Sequence, residues 1–298
     1  MLFRSHSIKR SLSELNFDKF ILFTDSDMFR SRELPDLLKP EAFLYYSRDN
    51  LMTVPYWAKH GAQMEPEIMR AASAVVTNSP HLANLAAKAN DNSIYVGQGC
   101  EIDEYLNVDK DQVPNDLKSL QGPIVGYTGL LTSRRLSIDL IEYAAKKLPH
   151  FNFVLVGPEE SCFEKSILHE LENVFFLGSK KPEDLPAYVS NFDVCINPQI
   201  VNELTKGNYP RKVDEYLAAG KPVVATYTPT MEVFKKYCFL VNNGDEFVRA
   251  LEVAKNSVDE VNIRERQDFA ATHSWGNSVK EIYRVVEDVL NNKIKAYA

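Results

Sequence analysis

The residues best suited to chemistry in this chain cluster in one short segment, 208–220, which reads NYPRKVDEYLAAG. Its early proline and final glycine are typical of the two ends of a helix. Arg211 and Lys212 fall in the first turn, where free backbone N–H groups and the helix dipole favour an anion. Glu215 lies three residues after Lys212, on the same helix face. The segment predicts a phosphate site beside a carboxylate that can accept hydrogen bonds from a ribose diol. The alternative is an exposed Lys–Glu pair on an amphipathic helix.

A second cationic segment is GYTGLLTSRR, residues 126–135. Gly129 ends a predicted strand, and a glycine there lets a ligand approach the backbone closely. Arg134 and Arg135 are expected to open the next helix, where their charge would oppose the helix dipole. A bound anion would explain them, and the alternative is a pair of exposed arginines. Lys180 and Lys181 follow Gly178 at the end of another predicted strand, and a solvated turn is the simpler interpretation of these two residues.

These segments lie in a regular alternation of apolar strands and amphipathic helices that begins near residue 123. Strands that are apolar throughout are typical of a parallel sheet covered on both faces. Right-handed crossovers then predict a doubly wound, Rossmann-like domain that binds its ligand at the carboxyl ends of the strands. The predicted strands are 123–129, 151–158, 174–178, 193–198, 222–226 and 239–241. The predicted helices are 137–148, a short one after Pro182, 211–219, 245–254 and 275–290, with a polar loop up to Tyr209.

The first hundred residues are also α/β but too short for a complete doubly wound domain. Their predicted strands are 19–25, 42–47, 74–79 and 93–97, and the helices are 66–72 and 80–89. We therefore expect two Rossmann-like domains, of which the N-terminal one is incomplete. The predicted boundaries are 1–105 for the first domain, 106–121 for a linker, 122–275 for the second domain and 276–298 for a C-terminal helix that crosses back to the first.

Composition excludes several classes of protein. The net charge is −7 over 298 residues and neither part of the chain is basic, which argues against a nucleic-acid partner. No apolar run is long enough to span a bilayer, and the basic N-terminus lacks the apolar core of a signal peptide. The four cysteines form no CxxC pair, so we expect small buried thiols in a reducing cytoplasm. A catalytic cysteine or a zinc site is the alternative.

At this point the sequence resembles the donor-binding half of GT-B glycosyltransferases, close to the family-4-like group. The resemblance rests on the order and spacing of several segments rather than on one of them, and it covers roughly residues 40–245. Those segments are GYTG (126–129), VLVGP (154–158), VFFLG (174–178), DLPAY (184–188), FDVCINP (192–198) and PRKVDEYLAAGKPVV (210–224), preceded by ASAVVTNSPHLA (72–83) and YVGQGCEI (95–102).

The resemblance implies roles for individual residues. Glu215 matches the glutamate that holds the ribose of the nucleotide, and Arg135 and Lys212 match the cations that act on the diphosphate during catalysis. The remaining donor-site residues that the resemblance implies are Gly129, Ser179, Lys180, Tyr209 and Arg211. Asp49 and His60 are candidates on the acceptor side, although a histidine in a loop is more often structural. No metal ligand set is expected, because Asp25-Ser-Asp27 lies far from the donor half.

The implied activity is transfer of a hexose from a nucleoside diphosphate sugar, with retention of configuration and without a metal ion or other cofactor. The acceptor would be a sugar or a lipid-linked glycan of surface polysaccharide or glycoconjugate synthesis. The protein would be cytoplasmic, with peripheral contact at the inner face of the membrane. Two departures keep alternatives open: the N-terminal domain is short, and Gly207 replaces a glutamate that contacts the donor sugar. The alternatives are a non-catalytic nucleotide-sugar-binding partner protein and a nucleotide-sugar epimerase.

Overall fold

The computed structural model describes residues 2–108, 112–257 and 259–291. The strands are β1 (Ile21–Asp25), β2 (Ala42–Ser47), β3 (Ala74–Thr77), β4 (Ser93–Tyr95), β5 (Ile124–Thr128), β6 (Asn152–Val156), β7 (Val174–Phe176), β8 (Val194–Asn197), β9 (Val223–Thr226) and β10 (Cys238–Val241). The chain divides into two compact units. Unit 1 comprises residues 1–99, 207–209 and 275–298, and unit 2 comprises residues 100–206 and 210–274.

Helices account for most of the remaining regular structure. They are α1 (Leu2–Glu14), α2 (Met28–Ser31), α3 (Leu34–Leu38), α4 (Pro55–Gly61), α5 (Met64–Ala71), α6 (Pro80–Ala86), α7 (Asp103–Leu106), α8 (Ile138–Lys147), α9 (Ser161–Glu164), α10 (Leu185–Ser190), α11 (Glu203–Gly207), α12 (Arg211–Ala218), α13 (Gly244–Ala254), α14 (Glu260–Ala271) and α15 (Trp275–Leu290). The described residues also form short 3-10 helices at Leu51–Thr53, Ile167–Glu170, Pro182–Asp184 and Pro229–Phe234.

Unit 2 is built on a parallel sheet of six described strands in the order β10-β9-β8-β5-β6-β7. Its central strands are apolar and buried along their length, as expected for strands covered on both faces. Helices α8 and α13 bury Ile141, Phe247 and Leu251 in one core cluster with β5, β6 and β8. Helix α12 packs on β9 and against α14. The order reverses between β5 and β8, and ligands of such sheets bind at that point, outside the carboxyl ends of the strands.

Unit 1 carries a parallel sheet of four described strands in the order β1-β2-β3-β4. Tyr45, Val75 and Ile68 lie in the core cluster on one face. On the other face Val285 and Val289 of α15 pack with Leu44 and other residues of β2 and β3. Helix α15 therefore belongs to unit 1. The last residues of the predicted C-terminal helix, 292–298, lie outside the described residues.

The boundary between the units differs from the sequence prediction. Unit 2 begins at residue 100 rather than after residue 105, and part of the predicted linker packs onto it. Tyr105 and Leu117 are buried, and Asp116 forms an ion pair with Lys180 at 2.7 Å. The polar composition of 106–121 suggested a free connection, but its few apolar side chains anchor it. Residues 109–111 of this segment lie outside the described residues.

Eight of the described helices were not predicted from the sequence, namely α1, α2, α3, α4, α7, α9, α11 and α14. The weak amphipathic patterns of α1 and α14 explain why these two were missed. The predicted polar loop before Tyr209 contains α11. There the fully buried Thr205 accepts a hydrogen bond from Asn202 N at 3.0 Å and donates to Ile200 O at 2.5 Å. Hydrogen bonding rather than apolar periodicity holds this helix, so the apolar pattern did not reveal it.

Two glycines of unit 2 give a matched prediction about stability. A Cβ on Gly157 (φ +150°) would lie 1.9 Å from Gly129 O, whereas a Cβ on Gly178 (φ +66°) would meet nothing within 4 Å. We expect Gly157→Ala to cost about 2–5 kcal/mol, from backbone strain plus overpacking. Gly178→Ala should cost only about 1–2 kcal/mol, from the left-handed backbone alone. Urea unfolding of the two variants measures the difference, and equal losses would contradict the close approach at Gly157.

Candidate functional site

The start of α12 is the centre of the candidate site. The helix begins after Pro210 and buries Val213, Tyr216 and Leu217 against the rest of unit 2. It ends at Ala218, just before Gly220 (φ +73°), and Lys221 N donates to Tyr216 O at 3.0 Å. Both predicted ends of this helix are thus confirmed. The amphipathic pattern fixes which side of α12 faces the core.

Lys212 lies against a tyrosine at the end of β5. Its Nζ sits 3.8 Å from the centroid of the Tyr127 ring and donates a hydrogen bond to the Tyr127 hydroxyl. That hydroxyl in turn donates to Leu130 O at 3.3 Å. Among the residues that the structure describes, no carboxylate lies within ion-pair distance of Lys212 Nζ. The aromatic face offers part of the stabilisation that a counter-ion would supply.

The surroundings of Lys212 disfavour its positive charge. The pKa of Lys212 is lowered to about 7, mainly by burial; the charge of Arg135 contributes to the lowering, and Glu215 opposes it. A lysine side chain in water has a pKa near 10.4, so this ammonium is poorly solvated. An anion placed here would restore the charged form.

Glu215 is the second functional side chain on this face of α12. Its carboxylate lies 3.2 Å from Arg211 Nε and accepts a hydrogen bond from the Tyr105 hydroxyl at 3.5 Å. Burial raises the pKa of Glu215, while Arg211 and Lys212 hold it down. Only 15% of the side chain is exposed, whereas Arg211 is 55% exposed. The exposed-pair alternative therefore fails for Glu215, which is a largely buried acceptor at the mouth of the sheet.

The turn between β5 and α8 brings Gly129 and Arg135 to the same place. A Cβ on Gly129 (φ +129°) would lie 2.8 Å from Lys212 Nζ, so only glycine fits there without displacing the lysine. Arg135 is exposed and close enough for its charge to lower the pKa of Lys212. The two cations and the glycine turn thus lie near one another at the carboxyl edge of the sheet.

The expected position of Arg134 and Arg135 at the start of a helix is wrong. Both lie in a turn in which Thr132 O accepts hydrogen bonds from Arg135 N at 3.2 Å and Leu136 N at 2.9 Å. Helix α8 begins three residues later, capped by Ser137 Oγ, which accepts from Leu140 N at 3.1 Å. The helix dipole therefore does not oppose these arginines. The proximity of Arg135 to Lys212 remains as the argument for an anion.

Family comparison addresses this same region of the chain. Residues 122–255, which contain Gly129, Arg135, Lys212 and Glu215, match the family described as glycosyl transferases group 1. They form a group 1 glycosyltransferase domain. TuaH of Bacillus subtilis (strain 168), whose name assigns it to teichuronic acid biosynthesis as a glycosyltransferase, is 31% identical over 175 residues. That match covers 56% of this chain and 44% of TuaH, so the chain spans less than half the length of this curated relative.

Solved structures extend the likeness over almost the whole chain. Anabaena HepE in complex with UDP has a TM-score of 0.77 at 17% identity, covering 95% of this chain and 82% of HepE. Sucrose-phosphate synthase from Thermosynechococcus elongatus has a TM-score of 0.75 at 18% identity, covering 97% and 77% of the two chains. At this identity the likeness concerns the fold alone, and it confirms the predicted GT-B fold class.

Other predicted residues of the glycosyltransferase domain have different surroundings. Lys180 Nζ lies 2.7 Å from Asp116 Oδ2, and this hydrogen bond raises the pKa of Lys180. The side chain is thereby held to the 112–116 segment rather than offered to a ligand. Ser179 follows Gly178 in an irregular stretch whose backbone continues from β7. The solvated-turn interpretation does not hold for Lys180, which has a fixed structural partner.

Three predicted site residues belong to unit 1: Tyr209, which was expected on the donor side, and Asp49 and His60, which were expected on the acceptor side. Tyr209 is buried there, with 5% of its surface exposed. Asp49 is exposed between β2 and the 3-10 helix, and His60 is exposed on α4 with its ring 5.0 Å from that of Tyr56. No hydrogen bond or ion pair joins Asp49 to His60 in the described part of unit 1. The structure thus gives these two residues no shared arrangement.

The cysteines and the Asp25-Ser-Asp27 carboxylates are the other candidates for metal ligands or nucleophiles in this chain. Within residues 2–108, 112–257 and 259–291, no group of three or more His, Cys, Asp or Glu residues has the arrangement of a metal site. Asp25 pairs with Arg48 at 2.8 Å, and Asp27 accepts a hydrogen bond from Arg30 N at the start of α2. Three of the cysteines are buried and Cys162 is partly exposed, and all four are free thiols.

Two tyrosines of the site were missed by sequence reasoning. Tyr127 lies inside the quoted GYTG segment, but its role under Lys212 depends on a contact between β5 and α12. Tyr105 was placed at the end of the first domain, although it reaches Glu215 from α7. An aromatic residue at the carboxyl end of a central strand was a usable signal for the first. No sequence signal pointed to the second.

The described residues contain no helix that combines the length and the apolar character required to cross a bilayer.

Proposed function

We propose that this chain transfers a sugar from a nucleoside diphosphate sugar to an acceptor, with retention of configuration and without a metal ion. The domain match supports a transferase of the group 1 type. The observation that carries the proposal is the partly buried Lys212 ammonium, which faces the glycine turn and has no carboxylate at ion-pair distance among the described residues. Such a charge is costly unless an anion joins it.

The chemistry of sugar transfer suits this arrangement. As the bond between the anomeric carbon and the phosphate oxygen breaks, negative charge develops on the departing diphosphate. Lys212, Arg135 and the backbone N–H groups at the start of α12 would stabilise that charge. Glu215 would accept hydrogen bonds from the ribose diol. Two cations and a helix N-terminus supply the kind of charge that a divalent metal supplies elsewhere, which supports metal independence.

Uridine diphosphate is the nucleotide we propose for the donor. HepE has been solved with UDP, with UDP and glucose, and with UDP-glucose. These ligands were bound by HepE. We propose them as the first probes with which to test the site of this chain. The acceptor we propose is a sugar or lipid-linked glycan of surface polysaccharide synthesis, in keeping with the name of TuaH. We also propose that the protein is cytoplasmic and makes peripheral contact with the membrane.

The ribose contact gives the direct test of this function. We expect Glu215→Ala to weaken binding of both UDP and uridine by about 1–3 kcal/mol, because a largely buried charged acceptor is lost. Isothermal titration of the full chain measures both affinities. Glu232→Ala is the matched control, since that carboxylate is held by Lys235 at 2.9 Å on the surface of the same unit. Unchanged uridine affinity in Glu215→Ala would rule out a ribose contact.

A donor-binding protein without transfer is the second candidate function. It is favoured by Gly207, where the resemblance leads us to expect a glutamate that contacts the sugar. A Cβ at this position would lie 2.9 Å from Asn50 Cβ, so a side chain here would require Asn50 to shift. Incubation with UDP-glucose and candidate glycans separates the functions. Released UDP with a glycosylated acceptor supports transfer, an altered sugar on donor alone indicates an epimerase, and binding without product indicates a binding protein.

A further inference from the structure

A buried polar cluster lies behind the donor side of α12 and has no part in the site described above. Asp214 is fully buried, and His273 Nδ1 donates to its Oδ1 at 2.7 Å. Cys100 Sγ donates to the other carboxylate oxygen at 3.3 Å. Cys100 and His273 are 2% and 9% exposed. The backbone joins the same pair, because Cys100 N donates to His273 O at 3.1 Å.

The cluster contacts α12 on the side of the helix that points away from Lys212 and Glu215. Successive residues of a helix are turned by about 100°, so Asp214 points well away from the face that Lys212 and Glu215 share. On the Lys212 side, the Tyr216 hydroxyl accepts a hydrogen bond from Thr128 N at 2.8 Å. The helix is therefore held by directional bonds on two sides. Its rotation is fixed by hydrogen bonds as well as by packing.

Burying a carboxylate at this position costs free energy. An apolar side chain of similar volume would pack without the cost of removing a charge from water. A carboxylate with two fixed donors adds direction, since the helix must adopt the one rotation at which both bonds form. Burial raises the pKa of the Cys100 thiol far above its usual range, so the thiol remains a hydrogen-bond donor to Asp214.

We propose that Asp214 is a positioning residue that, through Cys100 and His273, sets the rotation and height of α12. The placement of Lys212 over Tyr127 and of Glu215 beside Tyr105 follows from that setting. The ligands assigned to Lys212 and Glu215 depend on the proposed function. The positioning of α12 by Asp214 does not depend on it. The consequence is that a side chain with no ligand contact governs both the diphosphate and the ribose contacts.

Titration of Lys212 by NMR in lysine-labelled protein reports the helix position without any nucleotide. Lys212→Met assigns the signal. The wild-type lysine is expected to titrate near pH 7. In Asp214→Asn the amide cannot accept from both donors, so α12 should shift and Lys212 should titrate at least about one pH unit higher as it gains water. Unaltered titration in a folded Asp214→Asn protein would overturn the proposal.

Control variants separate positioning from mere stability. Asn173→Ala removes three hydrogen bonds to backbone carbonyls of unit 2 at a distance in sequence from α12, so it should destabilise the protein and leave the titration of Lys212 unchanged. If Asp214→Asn fails to fold, Cys100→Ala replaces it, since it removes only one donor and should shift the titration in the same direction. Cys100→Ser restores a donor and should return the wild-type titration. Equal titrations in Cys100→Ala and Cys100→Ser would overturn the proposal.

Nucleotide binding completes the experiment and distinguishes its possible failures. We expect Asp214→Asn to weaken UDP and uridine together by about tenfold, because both contacts depend on the same helix. A wild-type chain that binds neither would refute the proposed function, while a shifted Lys212 titration in Asp214→Asn would still support positioning. A wild-type chain that binds both, with affinity and titration unchanged in the variant, would refute positioning alone.

Discussion

Lys212→Met is expected to lower the rate of sugar transfer by about 10²–10³-fold, because it removes a positioned cation from the place where charge develops on the leaving diphosphate. It should weaken UDP strongly and leave uridine unaffected, since uridine has no phosphate. Methionine keeps the unbranched stem that packs on Tyr127. The free protein should lose no stability and gain some, because a poorly solvated ammonium disappears.

Titration calorimetry with UDP and uridine, together with thermal unfolding of the free protein, measures these effects. Lys180→Met is the matched control, because that ammonium is already held by Asp116 at 2.7 Å. We expect the control to leave UDP affinity near its wild-type value. A loss of UDP affinity in Lys180→Met that equals the loss in Lys212→Met would show that general positive charge, and not this lysine, attracts the diphosphate.

The affinity for UDP-glucose is expected to fall steeply as the pH rises above 7. The pKa of Lys212 in the free protein is about 7, and a bound diphosphate favours the charged form and raises it. Binding above pH 7 therefore takes up a proton. About half of the free protein is competent at pH 7 and about one hundredth at pH 9, so the apparent affinity should fall about 50-fold over that interval. Below pH 7 the lysine is mostly charged, and the affinity should become nearly independent of pH.

UDP-glucose is the appropriate probe, because its esterified diphosphate lacks the terminal phosphate group whose own titration complicates UDP. Calorimetry in two buffers of different ionisation enthalpy at pH 8 should detect the proton taken up on binding. In Lys212→Arg the side chain stays charged at these pH values, so the dependence should vanish. A wild-type affinity that stays constant between pH 7 and pH 9 would refute a neutral lysine in the free site.

The sequence predicted the fold of unit 2 well, because its strands are short apolar runs that periodicity and flanking glycines delimit. Helix α12 was predicted almost to the residue, since proline and glycine mark its ends. Helices α11 and α14 escaped prediction for a physical reason. One depends on the hydrogen bonds of Thr205, and the other has apolar residues on no single face.

The sequence predicted the charged residues of the candidate site but missed the two tyrosines that contact them. Lys212, Glu215 and Arg135 could be recognised because a helix start and a strand end are visible in the sequence. Tyr105 could not, since its contact with Glu215 joins segments distant in sequence, and the position of Tyr127 at the end of a central strand was a signal that the prediction did not use. The burial of Asp214 was equally invisible, because its two donors lie 114 and 59 residues away along the chain.

The backbone bond between Cys100 and His273 also bears on how this protein can change over time. Cys100 is the first residue of unit 2, and Ser274, which forms a β-bridge with Cys100, is the last. The two ends of the glycosyltransferase unit therefore lie side by side. Neighbouring ends are the arrangement in which a domain is most easily inserted into, or removed from, another chain. A partner domain joined at these two ends would therefore connect to unit 2 at a single place.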